Sequence, residues 1–429
     1  RRWSRAETTC RGASMNGSGL TRWWACALWD ESGVIAETRG SVVLTEGDKM
    51  PGAHWFPEAR LNFAENLLRR RDDGDALIFW GEDKVRRCVS YKALYDQVSQ
   101  VAQALKAAGI REGDRVAGYL PNMPEAAMAM LAVSSLGAIW SSCSPDFGVN
   151  GVVDRFGQIE PKILFAADGY FYNCKTHDSL EKIAEIQQRI PSLEKVVIVP
   201  YTRETFPLDA IKNALPLPQF VADYQPEAIT FKQLPFDHPL YIMFSSGTTG
   251  VPKCIVHGAG GTLLQHLKEH RLHTDVKPGD RTFFFTTCGW MMWNWLISGL
   301  AAETTILLYD GSPFYPDGNV LFDYADAEKM TQFGTSAKFI DAINKAGLSP
   351  KTSHNLSTVR TLCSTGSPLV PEAFDFVYEQ IKQDMCLSSI SGGTDIISCF
   401  ALGNPVLPVY RGELQCRGLA MQVEVWNDE

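Results

Sequence analysis

Apolar residues along this chain fall into two alternating patterns, short continuous runs and runs at helical spacing, which predict strands and helices in succession. A helix that begins at Ser90 and ends at Gly109 is the clearest example, because a capping residue and a terminating glycine bracket its apolar positions. The predicted strands are 75–80, 85–91, 115–120, 138–142, 196–200, 240–244, 281–286, 304–309 and 359–363. The predicted helices are 90–109, 124–137, 181–190, 261–271 and 321–332. This alternation predicts parallel α/β sheets.

The distribution of prolines suggests how these elements are grouped. Residues 201–237 are proline-rich and predict a connector between two α/β stretches. We therefore expect an α/β fold with a first subdomain and connector at 31–235 and a second α/β subdomain at 236–395. Residues 396–429 lack a helical pattern and predict a small β element, with a strand at Met421–Trp426.

Both ends of the chain depart from these patterns. Residues 1–30 hold four tryptophans among arginines, glycines and serines, without periodicity, and the chain starts with Arg1. We expect a disordered segment or an error of gene prediction there, and no signal peptide, because no continuous apolar run follows the arginines. A strand pattern directly before Glu429, with no returning strand, leads us to expect a truncated chain.

One loop has an unusual composition. The strand pattern at Tyr241–Phe244 is followed by Ser245, Ser246, Gly247, Thr248, Thr249, Gly250, Val251, Pro252 and Lys253. Glycines permit close backbone approach, hydroxyls and free N–H groups can form an anion-binding nest, and Lys253 adds a positive charge. The composition predicts a polyphosphate site, although it fits neither the P-loop nor the dinucleotide fingerprint. An ordinary connecting loop is the alternative.

Bulk composition narrows the functional classes. Hydrophobic residues make up 45% and charged residues 21%, as in globular proteins, and the net charge of −9 argues against a nucleic-acid-binding surface. We find no run of about 18 apolar residues and expect no membrane span. Eleven cysteines, with no C-x-x-C pair, disfavour a disulfide framework or a zinc site and favour the cytosol.

Four blocks resemble, in order, those of the adenylate-forming superfamily of acyl-CoA synthetases, luciferases and peptide-synthetase adenylation domains. They are Ser245–Lys253, Gly366–Pro368, Gly392–Asp395 and Arg411–Gly418. Other stretches resemble the acetoacetyl-CoA synthetases within it: Trp55–Leu67, Trp140–Phe147, Thr287–Trp295 and Ser391–Asp395. The resemblance covers about residues 31–429 and implies the fold of a large N-terminal domain of an adenylate-forming enzyme.

The resemblance also implies site residues. The loop would hold the β- and γ-phosphates of ATP, Gly366–Pro368 the adenine and Thr394 the α-phosphate. Asp395 would hold Mg²⁺ directly or through a water, although most members carry glutamate there. The implied nucleotide-binding residues are Ser245, Ser246, Gly247, Thr248, Thr249, Gly250, Lys253, Gly366, Ser367, Pro368, Gly392, Gly393 and Thr394. The implied catalytic residues are Thr249, Lys253, Thr394 and Asp395. Plain turns remain the alternative at Gly366–Pro368 and Gly392–Asp395.

An aromatic block at residues 289–295 flanks the acyl site in this superfamily. The resemblance implies that Trp290 and Trp293 line a pocket for a short acid, because tryptophans occupy the volume that a long chain needs. Asn294 would then hydrogen-bond a β-keto oxygen. A buried core is the alternative for Trp293, and we expect His257 to be structural or solvated.

The implied reaction has two steps. Acetoacetate and ATP give acetoacetyl-AMP and pyrophosphate, and CoA then displaces AMP to give acetoacetyl-CoA. Alternatives are a ligase for acetate or propionate, and a catalytically silent nucleotide-binding fragment. The superfamily's mobile C-terminal domain has no counterpart within these 429 residues. We therefore expect the chain to bind Mg²⁺-ATP, to form little adenylate and to make no thioester.

Overall fold

The computed structural model describes residues 17–49, 51–245 and 250–427, and these ranges form an α/β structure on two seven-stranded sheets. In order across the first sheet, the strands are Ala214–Pro216, Lys195–Val199, Ile163–Ala167, Arg115–Tyr119, Ile139–Cys143, Pro239–Ser245 and Lys253–Gly258. Across the second sheet they are Cys386–Ser389, Thr361–Thr365, Gln332–Ser336, Arg281–Phe284, Thr305–Asp310, Asp75–Gly81 and Val85–Ser90. All neighbours are parallel except one antiparallel hairpin at an edge of each sheet.

The two sheets do not follow each other along the chain. The second sheet takes its edge hairpin from residues 75–90, ahead of every strand of the first sheet, and its other strands from 281–389. The first sheet extends to residue 258, beyond the subdomain boundary that we expected at 235. The boundary therefore does not separate the sheets, because the apolar pattern of a strand does not specify which sheet it joins.

Helices cover both faces of both sheets. The α-helices are Gly17–Glu31, Phe63–Leu67, Tyr91–Ala107, Pro124–Ser135, Val149–Ile159, Leu180–Arg189, Leu217–Val221, Ala259–Lys268, Met291–Ser298, Val320–Ala327, Ala337–Lys345, Pro350–Ser353 and Pro371–Phe376. Three of them continue into the π-helical turns Glu269–His273 and Val377–Ile381 and the 3₁₀ turn Gly299–Ala302. The largest core joins both sheets through the helices between them, and two further cores lie on the outer faces.

Side chains along a single strand alternate between the two faces of a sheet, and this alternation explains why helices cover both faces. In strand Thr305–Asp310, Ile306 and Leu308 face the shared core, whereas Leu307 and Tyr309 face the outer core of the second sheet. Because successive side chains point to opposite faces, a strand that is apolar throughout must be covered on both sides. The result is five layers, with helices outside and between the sheets.

Besides the two large sheets, the described ranges contain several small antiparallel sheets. The small β element is the antiparallel sheet Ser391–Gly393, Ser398–Leu402 and Cys416–Arg417. A three-stranded sheet joins Ala36–Thr38, Arg60–Leu61 and Leu234–Pro235. One two-stranded sheet pairs Leu44–Thr45 with His54–Trp55, and another pairs Gly169–Tyr172 with Lys175–Asp178. The strand expected at Met421–Trp426 does not form, because no strand in the described ranges pairs with it, and Trp426 is 83% exposed.

The local signals of the sequence locate several boundaries correctly. Ser90 Oγ accepts a hydrogen bond from the N–H of Ala93 at 3.1 Å, which confirms the predicted N-cap. Pro124 is the first residue of its helix, as predicted. The pattern missed several elements: Val149–Ile159, Ile163–Ala167, Lys253–Gly258, Met291–Ser298, Gln332–Ser336 and Ala337–Lys345. The connector also contributes an edge strand at Ala214–Pro216.

The expectation of a disordered segment at residues 1–30 needs correction for the part that the structure describes. Residues 17–31 form a helix, and Trp29 is buried against the ring of Phe56, with 4.8 Å between centroids. Residues 1–16 lie outside the described ranges. Among the described helices, none combines the length and apolarity needed to cross a bilayer.

Helix Ala259–Lys268 carries a fully buried histidine that joins it to two other elements. His266 Nε2 lies 2.6 Å from the carbonyl oxygen of Ile397, and its Nδ1 lies 2.7 Å from Ser298 Oγ. A carbonyl only accepts, so Nε2 carries the proton and Nδ1 accepts from the serine hydroxyl. Burial lowers the pKa of His266 to about 3, and the ring is therefore neutral at ordinary pH.

We expect this ring to make the free energy of unfolding fall as the pH is lowered. The unfolded pKa is about 6.5, so between that value and the folded value the unfolded chain binds one proton more. Linkage gives a loss of about 2 kcal/mol between pH 7 and pH 5 from this ring. Denaturant unfolding at both pH values should show a loss about 2 kcal/mol larger in the wild type than in His266→Gln, because His257, His270 and His273, whose pKa values burial also lowers, contribute to both proteins. Equal pH dependence of the two proteins would contradict a neutral buried His266.

Candidate functional site

The predicted phosphate loop connects the two strands of the first sheet's edge hairpin. Strand Pro239–Ser245 enters it and strand Lys253–Gly258 leaves it, with Ser245 opposite Lys253 in the register. Gly250 has a φ of +121°, which residues with a side chain rarely adopt, and Lys253 is exposed. The remaining loop residues lie outside the described ranges: Ser246, Gly247, Thr248 and Thr249.

A cleft of about 470 Å³ lies at the carboxyl ends of strands of the second sheet. Open α/β sheets bind their ligands at this edge. The cleft is lined by Trp290, Met291, Met292, Thr365, Gly366, Ser367, Pro368, Leu369, Ser389, Ile390, Ser391, Gly392, Gly393, Thr394, Cys399, Gly412, Glu413 and Leu414. It therefore brings together both predicted turns, Trp290 and part of the block that begins at Arg411.

One wall of the cleft is the turn that follows strand Thr361–Thr365. Gly366 has a φ of +89°, a left-handed conformation that favours glycine. The hydroxyl of Thr365 donates to the carbonyl oxygen of Ile390 at 3.0 Å, which fixes two neighbouring strand ends. Ser367 is half-buried and Pro368 is exposed, and both line the cleft.

A second wall is the first hairpin of the small β-sheet. Gly392 pairs with Cys399 and Gly393 with Ser398, and a turn closed by the Ile397 N–H and the Thr394 carbonyl at 3.2 Å connects the strands. Thr394 lines the cleft, whereas Asp395 is exposed and does not.

His257, on the strand after the phosphate loop, lies against this same hairpin. Burial lowers its pKa, opposed by the Thr394 backbone and the negative charge of Asp395. Its Nε2 has no hydrogen-bond partner within the described part of the chain. Our expectation of a structural or solvated histidine did not foresee its proximity to the site, because residues so far apart in sequence share no local pattern.

The aromatic block divides between the cleft and the core. Trp290 is 64% exposed and lines the cleft. Trp293 is fully buried, and its Nε1–H donates to Asn122 Oδ1 at 3.1 Å, so it does not line the cleft. Helix Met291–Ser298 rotates by about 100° per residue, which turns Trp293 into the core and places Met291 and Met292 at the cleft instead.

Asn294 also faces away from the cleft. It is 2% exposed and borders a separate cavity of about 10 Å³ together with Trp140 and Tyr241. Its Oδ1 has no hydrogen-bond partner within the described ranges. The expected contact between Asn294 and a substrate in the cleft is therefore not supported.

The described residues contain no group of three or more His, Cys, Asp or Glu side chains that would hold a metal ion. A Mg²⁺ ion here would take most of its ligands from phosphate oxygens and water. That arrangement suits Mg²⁺, which usually retains several waters and binds through one or two carboxylates. The exposed carboxylate of Asp395 fits such a role.

Comparison with known proteins agrees with this architecture. The model of the AMP-binding enzyme family matches residues 63–409. The acetoacetyl-coenzyme A synthetase of Rhizobium meliloti (strain 1021) is 59% identical over 404 residues, which are 94% of this chain and 62% of that protein. The Gallus gallus acetoacetyl-CoA synthetase is 47% identical over 416 residues, 95% of this chain and 62% of that protein. The chain thus spans less than two thirds of the length of these curated relatives.

A solved structure resembles the whole described fold. The acetoacetyl-CoA synthetase from Streptomyces lividans aligns with a TM-score of 0.91 and 41% identity, covering 99% of this chain and 67% of that one.

The two glycines of the hairpin wall should respond differently to substitution. A Cβ on Gly392 would lie 2.4 Å from the carbonyl oxygen of Ser398, whereas a Cβ on Gly393 would meet nothing within 4 Å. Gly392→Ala should therefore lower the free energy of unfolding by roughly 1–3 kcal/mol, the range for overpacking against a fixed neighbour. Thermal unfolding of Gly392→Ala and of its control Gly393→Ala measures this. Equal stability of the two variants would show that the hairpin can shift to accept a side chain.

Proposed function

This chain belongs to the family of AMP-binding enzymes, and on that basis we propose that it carries the nucleotide and acid sites of an AMP-forming acid–thiol ligase. The proposed substrates are acetoacetate, ATP and CoA. The observation that carries the proposal is the single cleft into which residues 290–292, 365–369, 389–394 and 412–414 converge. The names of the most similar relatives support the choice of acetoacetate.

We assign the nucleotide to this cleft. Its volume of about 470 Å³ lies within the range of roughly 300–1,000 Å³ typical of ligand pockets. The turn Gly366–Pro368 would receive the adenine through backbone groups, and Gly392, Gly393 and Thr394 would lie beside the α-phosphate. The loop Ser245–Lys253 would hold the β- and γ-phosphates, with Thr249 and Lys253 as the donors closest to the leaving pyrophosphate.

The proposed first step forms a bond between a carboxylate oxygen of acetoacetate and the α-phosphorus. The bond to the pyrophosphate oxygen breaks, and its electrons leave with pyrophosphate. Lys253 and the loop donors would stabilise this developing negative charge, and Thr394 would orient the α-phosphate. Mg²⁺, held by Asp395 directly or through a water, would supply further charge neutralisation when bound.

The proposed second step transfers the acyl group. The CoA sulfur attacks the acyl carbon, a carbon–sulfur bond forms, and the carbon–oxygen bond to AMP breaks. The reaction releases AMP and acetoacetyl-CoA. We expect it to take place in the cytosol, in keeping with the nine cysteines from Cys88 to Cys416 in the described ranges, which are free thiols.

We place the acid beside Trp290, Met291 and Met292. Trp290 is exposed at the cleft, whereas the two methionines are buried behind it, so the three side chains limit the depth available to an acyl chain. A site of this kind favours an acid of few carbons. Acetate and propionate are the closest competitors, because the same phosphate and adenine contacts would serve them.

Acid-dependent exchange of pyrophosphate into ATP, measured on the chain joined to a C-terminal domain of the superfamily, tests substrate choice. Acetoacetate should support faster exchange than acetate, propionate or acids of six carbons or more. Trp290→Ala should raise exchange with the longer acids by about tenfold, on the scale of one or two methylene groups accommodated in a pocket. Trp426→Ala, at an exposed tryptophan outside the cleft, is the control. Equal loss with every acid would make Trp290 structural, and preference for acetate would replace acetoacetate as the substrate.

Calorimetric titration with ATP tests the phosphate loop. Thr248→Ala together with Thr249→Ala should weaken binding by roughly 1–3 kcal/mol, the scale for losing hydrogen bonds to a charged group. Thr352→Ala, at an exposed threonine on a distant helix, should bind ATP like the wild type. An unchanged affinity in the double variant would remove the role proposed for this loop.

A further inference from the structure

A fully buried carboxylate, Glu269, lies behind the cleft. It begins the π-helical turn Glu269–His273, which continues helix Ala259–Lys268 between the two sheets. Such turns occur often at functional sites, because the extra residue redirects a side chain. Glu269 itself does not line the cleft.

Both carboxylate oxygens accept hydrogen bonds from other parts of the chain. Oε2 accepts from Trp295 Nε1 at 2.9 Å. Oε1 accepts from Ser398 Oγ at 2.5 Å and from the N–H of Cys399 at 3.1 Å. Gln265 Nε2 lies at 3.3 Å and Lys268 Nζ at 3.9 Å from Oε1. Every partner donates, so both oxygens of this carboxyl group act as acceptors.

These donors belong to two of the segments that line the cleft, the one at residues 290–292 and the one at residues 391–394. Trp295 lies on helix Met291–Ser298, which begins directly after Trp290 and carries Met291 and Met292. Cys399 lines the cleft and pairs with Gly392 in the antiparallel register, and Ser398 pairs with Gly393. One side chain therefore bonds to both segments, which are about 100 residues apart in sequence.

We infer that Glu269 is a positioning residue that fixes the spacing between the wall at Trp290–Met292 and the wall at Gly392–Thr394, and so sets the affinity of the cleft for its nucleotide. Stability alone is a weak reason for such a group, because well-packed apolar residues often replace buried charges without loss. The ligand named here rests on the proposed function, whereas the effect on the walls does not.

Substitution by glutamine separates positioning from stability. In Glu269→Gln an amide NH₂ replaces one acceptor and meets a donor, Trp295 Nε1–H or the Cys399 N–H. Glu82→Gln is a matched control, because Glu82 is 1% exposed and accepts from the backbone N–H groups of Asn173, Cys174 and Ser312 at 2.6, 2.9 and 2.9 Å. Glu82 lies at the edge hairpin of the second sheet and does not line the cleft.

Two measurements are needed. The dissociation constant for ATP should rise tenfold or more in Glu269→Gln and change less than twofold in Glu82→Gln. Labelling of Cys399 by a thiol reagent, followed by mass spectrometry, should be at least tenfold faster in Glu269→Gln only. In the wild type this thiol is fully buried, and its burial, with the nearby Glu269 carboxylate, raises its pKa.

The outcomes are distinct. Wild-type affinity and slow Cys399 labelling in Glu269→Gln would overturn the inference, as would equal effects of the two glutamine variants. If Glu269→Gln does not fold, Trp295→Phe removes one donor while keeping a ring. This variant should raise both the dissociation constant for ATP and the rate of Cys399 labelling, and wild-type values of both would overturn the inference. If the wild type fails to bind ATP, the proposed function fails, and the labelling rates alone still decide whether Glu269 positions the walls.

Discussion

The fixed position of the small β-sheet depends on buried hydrogen bonds from residues 265–273. His266 bonds to the Ile397 carbonyl and Glu269 to Cys399. His273 accepts from the N–H of Leu419 at 3.0 Å through Nε2, and its Nδ1 lies 2.8 Å from the Gly403 carbonyl. Moving the sheet would leave these buried groups unpaired, which costs about 1–3 kcal/mol for each. The hairpin that carries Thr394 is therefore anchored to residues 265–273, and it lines the cleft from that anchored position.

Much of the architecture was predictable because burial on both faces leaves a continuous apolar run in the sequence. The fold class, the N-cap at Ser90 and the strand before the phosphate loop all follow from such local signals. Strand Lys253–Gly258 did not, because it lies at a sheet edge, where most of its residues are at least partly exposed and its apolar pattern is weak. Without it, the loop looked like a link from strand to helix, whereas it closes a hairpin.

The site was predictable as a set of motifs and less so as a set of contacts. Gly366 and Thr394 could be singled out because their blocks resemble those of a known superfamily, and the parallel strand order then places both at one cleft. Trp293 and Asn294 do not line the cleft, because the rotation of a helix, which sequence alone did not fix here, decides which neighbours face a cavity. Residues 412–414 belong to the block Arg411–Gly418, whereas His257 reaches Thr394 and Asp395 through long-range packing that leaves no local signal. Their roles, like those of the loop residues, remain predictions.

The second sheet's edge hairpin precedes its other strands by about 190 residues or more, and this order has a consequence for synthesis on the ribosome. Strand Asp75–Gly81 pairs on one side with the adjacent Val85–Ser90 and on the other with Thr305–Asp310, and Asp75 bonds to Thr305 across 230 positions. Translation at about 5–20 residues per second leaves the second edge of this strand unpaired for roughly 10–45 seconds. An apolar strand with an open edge is prone to pair with other chains. Nascent chains of this protein should therefore need shielding of residues 75–81 until the second sheet closes.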